Sequence, residues 1–143
     1  MDSYQQILRL INQYCFSIDT GNLEGLARLF VKGEWGMEGQ PTLKGYDPIL
    51  AHLSESAIIY EDGTTRTRHL TSNIDIDIDE VSETATNQCY VTVMQQTEKL
   101  PLQPIFSGIY CDKFARDEDG WHFTKRLVKS ALIGNLSHHV KGA

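Results

Sequence analysis

Three side chains, two near the N-terminus and one far along the chain, could together move protons: the phenol of Tyr14, the carboxylate of Asp19 and the imidazole of His69. Imidazole is the one side chain whose unperturbed pKa lies near neutrality, so His69 can serve as base or acid. A carboxylate can hold the imidazole in one tautomer, and a phenol can donate to a developing oxyanion. Tyr14 falls on the apolar face of a predicted helix, so its ring is expected to be buried and its hydroxyl to need a partner. Asp19 follows five residues later, about 140° further round an ideal helix, and shares a cavity with Tyr14 only if it ends that helix. Glu38, between Gly36 and Gly39, is a further carboxylate able to act as a base, or simply a charge at a strand end.

Other polar groupings carry less. Asp75, Asp77 and Asp79 alternate with Ile74, Ile76 and Ile78; a calcium loop starting at Asp75 would need Gly and Glu where Glu80 and Thr86 stand. The aspartates are expected on the wet face of a strand. Cys15, Cys89 and Cys111 form no C-x-x-C pair and sit in apolar stretches, as small buried hydrophobes do. No metal site, phosphate loop, nucleophile elbow or zinc-protease motif is present, and no cofactor is expected. His138 and His139 are expected to be solvated tail residues.

The elements that must position the triad read as follows. Ser3–Asp19 is a helix whose capping-box spacing is Ser3 with Gln6, and whose apolar face is Ile7, Leu10, Ile11, Tyr14 and Ile18. Thr20-Gly21-Asn22 ends it, and a short helix follows over Leu23–Phe30. A strand near Glu34–Glu38 precedes a third helix, opened by Asp47-Pro48 and running to about Ile59. Beyond Thr65 the period becomes two, giving a strand through Ile78 and long strands over Thr84–Lys99, Ile105–Arg116 and Trp121–Leu132. Helices first and an antiparallel meander after is an α+β order. A strongly curved sheet folded over the helices would enclose an apolar pocket, with Phe30, Trp35, Met94 and Phe106 as expected walls. Arg126 has the opposite parity to Trp121, so it faces outward unless a bulge intervenes.

A length of 143 residues is expected to form a single domain, 1–143. Hydrophobic residues at 41% and charged residues at 22% are globular values that exclude disorder. The net charge of −6 and the lack of a basic stripe exclude a nucleic-acid partner. With no signal pattern and no membrane-spanning run, the expectation is a cytoplasmic protein without a membrane partner.

The pattern Tyr14-x4-Asp19-x-Gly21-Asn22-Leu23-x2-Leu26-x2-Leu29-Phe30, then Gly45 and Thr67-Arg68-His69, resembles the SnoaL-like branch of the NTF2-like superfamily. Gly108-x-Tyr110-x-Asp112-x-Phe114, Gly120-Trp121-His122-Phe123 and Arg126 extend the likeness over almost the whole chain. The resemblance implies a cystatin-like cone, a curved antiparallel sheet wrapped around three N-terminal helices, assembled as a homodimer or homotrimer. Its relatives include scytalone dehydratase, bile-acid 7α-dehydratase, ketosteroid isomerase, polyketide cyclases and dioxygenase small subunits. It assigns catalytic roles to Tyr14, Asp19 and His69, and places Arg126 near a family arginine and Glu38 near the isomerase carboxylate. Where dehydratases carry a further Asp or His, Thr84–Lys99 offers Tyr90, Thr92, Met94, Gln95 and Gln96. The implied function is a dehydratase or isomerase acting without a cofactor on a hydrophobic oxygenated small molecule such as a steroid, polyketide or aromatic. A non-catalytic ligand-binding module, or an assembly subunit of a ring-hydroxylating dioxygenase, is the alternative.

Overall fold

The structure, a computed structural model, describes residues 1–143. Helices α1 (Ser3–Asp19) and α2 (Leu23–Arg28) come first, then short strands β1 (Glu34–Met37) and β2 (Leu43–Lys44) and helix α3 (Tyr46–Ser56). Four long strands complete it: β3 (Thr67–Asp79), β4 (Thr84–Gln95), β5 (Gln103–Asp117) and β6 (Gly120–Ile133). The six strands form one sheet in the order β2-β1-β6-β5-β4-β3. The long strands are an antiparallel meander, as expected, but β1 runs parallel to β6 and makes the sheet mixed. No helix is long and apolar enough to cross a membrane.

The α1 helix buries Ile7, Ile11, Tyr14, Cys15 and Ile18 against the sheet. Its capping box lies one residue before the expected one: Asp2 accepts from the Gln5 backbone N–H while the Gln5 side chain accepts from Asp2. The turn after α1 depends on Gly21, at φ 76°, where a Cβ would sit 2.1 Å from the Gly63 carbonyl oxygen. That close approach draws the segment before β3 onto the end of α1.

Two bulges decide which side chains face the helices. In β3 the pairing with β4 slips between Ser72 and Asp75, and Asn73 takes φ 54°. Asn tolerates this left-handed conformation better than most residues. Strict alternation would set His69 and Ile74 on opposite faces; the extra residue turns both inward. Thr67 and His69 thus share a face with Ile74, Ile76 and Ile78, while Asp75, Asp77 and Asp79 lie on the wet face. In β6 the pairing with β5 skips Thr124, since Phe114 faces Phe123 and Lys113 faces Lys125. This slip brings Arg126 to the inner side, with Trp121 and Phe123.

The chain after β6 folds back as a strap. Val140 bridges to Ala57, the Ile58 N–H donates to the His139 carbonyl at 3.0 Å, and the Lys141 N–H donates to the Ser56 carbonyl at 2.8 Å. The His138 carbonyl accepts from the Tyr60 hydroxyl and, at 3.0 Å, from the Gln95 amide. His138 and His139 are half-buried in this strap, which overturns their reading as solvated tail residues.

Candidate active site

Asp19 is the last residue of α1, where the helix dipole disfavours an anion. Three donors from β3 offset that. Thr67 Oγ1 donates to Oδ1 at 2.7 Å, the His69 backbone N–H donates to Oδ2 at 2.8 Å, and His69 Nδ1 lies 2.6 Å from Oδ1. Burial alone would raise the Asp19 carboxyl, but the hydrogen bonds and charge of His69, with Thr67, hold it below its usual range. The neighbouring Thr65 hydroxyl donates to the Ile18 carbonyl at 2.9 Å, tying the start of the strand to the same helix end. With Nδ1 engaged by the carboxylate, Nε2 is the ring atom left for chemistry.

His69 borders a cavity of about 310 Å³ that Tyr14, Trp35, Phe106 and Tyr110 also line, with thirteen of its seventeen lining residues hydrophobic. Helix α3 contributes His52 and Leu53, and the strap contributes Leu136, His139 and Val140. Tyr14 accepts a hydrogen bond from the Trp35 indole N–H at 3.1 Å, which leaves its own proton free to donate. Burial raises the Tyr14 pKa, and the positive charge of Arg126 partly opposes the rise. Asp19 does not reach the cavity; it stands behind His69.

Arg126 is fully buried behind the two tyrosines. Its guanidinium lies 3.7 Å from the Tyr110 ring centre and 4.3 Å from that of Tyr14. Nε and Nη2 donate to the two carboxylate oxygens of Asp112 at 2.8 and 2.9 Å. Its ion pair lies within the chain, and Arg126 does not line the cavity. Of the other expected residues, Trp35 and Phe106 are walls, but Phe30 is core, stacked 4.9 Å from Phe123. Met94 lies on the outer side of β4, and Val93 takes the inward place. Glu38 is exposed at the end of β1, away from the cavity, and accepts only a 3.4 Å bond from the Ser130 N–H.

Burial pushes the His139 imidazole down to about 4, and the adjacent His69 adds to the fall while Asp19 opposes it. His139 is therefore neutral at pH 7. The unfolded chain takes up this proton near the ordinary value of 6.5, whereas the folded protein refuses it until about pH 4. Stability is thus complete above about pH 6.5 and falls as the pH drops towards 4, by up to about 3 kcal/mol. The lowered Asp19 carboxyl adds a further loss below its ordinary 3.8. Urea midpoints at pH 7 and 4.5 check this: His139→Gln should flatten the slope, and an unchanged slope would refute the assignment.

The sequence model of the SnoaL-like domain matches residues 1–127. The chain belongs to this SnoaL-like family. Solved structures agree on the fold. An NTF2-like protein with a cystatin-like fold from Novosphingobium aromaticivorans is 21% identical, covers 89% of this chain and 80% of its own, and superposes with TM-score 0.73. A candidate scytalone dehydratase from the same organism is 22% identical over 92% and 87% of the two chains, with TM-score 0.70. A candidate aromatic ring hydroxylase, also from that organism, is 18% identical over 95% of each chain, with TM-score 0.73. At these identities the likeness concerns the fold alone. No curated protein matches the chain.

Within this SnoaL-like domain, β4 presents Val93 and Gln95 inward beside His69 and Thr67. The Gln95 amide is spent on the carbonyls of Thr65 and His138 at 3.1 and 3.0 Å. Of the polar side chains at the site, Thr67 was read only as part of the family pattern, His139 as a tail residue, and His52 not at all. Thr67 was visible in the Thr67-Arg68-His69 run, two residues before the histidine and so on its face. Nothing in the local sequence signals that His52 or His139 reaches the cavity.

Proposed function

We propose that this SnoaL-like protein binds a compact, hydrophobic, oxygenated molecule and catalyses a cofactor-independent proton transfer on it, a dehydration or double-bond isomerisation. The observation that carries this reading is the 2.6 Å His69–Asp19 contact at the edge of an apolar cavity that the Tyr14 phenol shares. In the dehydration, His69 Nε2 takes the proton α to a carbonyl, whose oxygen gains charge and is met by the Tyr14 hydroxyl. The carbon–oxygen bond at the β-carbon then breaks, and the imidazolium returns its proton to the leaving hydroxide, releasing water. Asp19 keeps Nδ1–H as the donor and stabilises the imidazolium. Arg126 acts through Tyr14, its charge easing the phenol towards the oxyanion.

At about 310 Å³ the cavity is at the small end of the roughly 300–1,000 Å³ typical of ligand sites. Two or three fused rings suit it better than a four-ring steroid. The candidate scytalone dehydratase among the structural neighbours supports the elimination chemistry. The test is native mass spectrometry of purified protein for retained ligand, followed by incubation with bicyclic β-hydroxy ketones and detection of product lacking one water. Turnover by the wild type and none by His69→Ala is the expected result; equal turnover by both overturns the reading.

The outer face of the long strands carries the exposed Leu70, Tyr90 and Leu132. Pairing across the sheet aligns Leu70 with Thr92, Ser107 and Leu132, one row from Tyr90 and Ile109. Such a patch on a small protein suits association with a second copy. Light scattering should find a homodimer or homotrimer that Tyr90→Glu with Leu132→Glu converts to monomer; a wild-type monomer would exclude it.

A further inference from the structure

The cavity contains an imidazole that the chemistry above leaves idle. His139 is held by its backbone on two sides, through its carbonyl to Ile58 and through Val140 to Ala57, and its N–H bonds to the Leu136 carbonyl at 2.9 Å. Its ring centre lies 6.0 Å from that of His69, the planes 66° apart. Both rings border the same cavity. Nδ1 of His139 is buried and has no hydrogen-bond partner in the protein. A buried polar atom without a partner costs roughly 1–3 kcal/mol, a cost that a donor on a bound ligand would recover.

We infer that His139 is a second imidazole of the site, which hydrogen-bonds the ligand oxygen that His69 Nε2 addresses. The inference rests on the proposed reading of the cavity and adds to it the group that selects and holds the ligand hydroxyl. The rings are 6.0 Å apart and border one cavity, so a single ligand oxygen beside the pair lies within hydrogen-bond reach of both. Being neutral, His139 leaves His69 free to become the imidazolium of the pair without a second positive charge beside it. It therefore orients the hydroxyl, while His69 supplies and removes the proton. The ligand class narrows to fused-ring molecules bearing a hydroxyl at the strap end of the cavity and, where chemistry follows, a carbonyl at the Tyr14 end.

The test uses 2-naphthol and naphthalene as probes that differ by one hydroxyl, with binding followed through quenching of the cavity residue Trp35. Wild type should prefer 2-naphthol by about tenfold or more, the scale of a hydrogen bond to a buried polar group. His139→Phe should lose most of that preference, read as the ratio of the two affinities in the same variant, and His139→Gln should recover part of it. In wild-type protein labelled with 15N-histidine, the His139 ring resonances should shift with 2-naphthol and not with naphthalene. A preference that survives His139→Phe but vanishes in His69→Gln overturns this inference and leaves the reading of the dyad intact. A wild-type protein with no preference, or an unmoved His139 resonance on binding 2-naphthol, overturns it as well, and only the former also counts against the dyad.

Discussion

Asp112→Ala should be the most damaging single substitution for stability, costing about 3–5 kcal/mol of the roughly 5–15 kcal/mol typical of a domain. The Arg126 and Asp112 side chains are both fully excluded from solvent. Removing the carboxylate strands a guanidinium among Tyr14, Tyr110 and Phe123, with only the ring faces to receive its charge. The Asn87 amide, which donates to Asp112 at 3.0 Å, is left with only the Cys89 sulfur at 3.4 Å. Urea unfolding of Asp112→Ala against wild type measures this, and a loss below about 1 kcal/mol would show that the pair is not the electrostatic unit its geometry indicates. Replacing both partners, Arg126→Met with Asp112→Leu, should recover most of the stability, because no charge is then left buried. The double variant should nevertheless be slow in catalysis, since Tyr14 no longer has a cation behind its ring.

His69→Gln should reduce turnover of a bicyclic β-hydroxy ketone by on the order of 10²–10⁴-fold while the protein stays folded. The lost element is the proposed proton carrier; the cavity walls and the Tyr14–Trp35 bond remain. Asp19→Asn should fall by a comparable factor, because an amide at that position can offer a donor where Nδ1–H requires an acceptor, and so selects the wrong tautomer. It should also lower stability, since the Thr67 hydroxyl and the His69 N–H lose their anionic acceptor. The paired measurement is kcat together with the denaturation midpoint. A folded His69→Gln protein within about tenfold of wild type would place the base elsewhere in the cavity.

Much of this architecture was readable from residue patterns alone. The period-two isoleucines of β3, the apolar face of α1 and the Asp117–Gly120 turn between β5 and β6 are local signals, and local signals survive in a linear reading. The nearness of Asp19 to His69 was not local. It came from a family resemblance, and its physical basis is the Gly21 approach to Gly63, which brings two distant segments together. What escaped depended on single-residue slips or on chain return. The skip at Thr124 reverses the parity that would have sent Arg126 outward, and no residue type marks it. Met94 was misplaced by one position on its strand, enough to change faces. The parallel pairing of β1 with β6 joins segments about ninety residues apart in sequence. His139 reaches the cavity only because the strap pairs with the end of α3.

The slip at Asn73 divides β3 into two stretches with separate duties. On the Thr67–His69 side, inward positions meet the Asp19 carboxylate and the cavity; on the Ile74–Ile78 side they meet packed hydrocarbon. Because alternation restarts at the slip, a residue gained or lost on one side need not reorient the other. Sequence change can accumulate around the cavity near His69 while the isoleucine ladder goes on anchoring the sheet. A scaffold partitioned in this way can acquire new chemistries without first being destabilised.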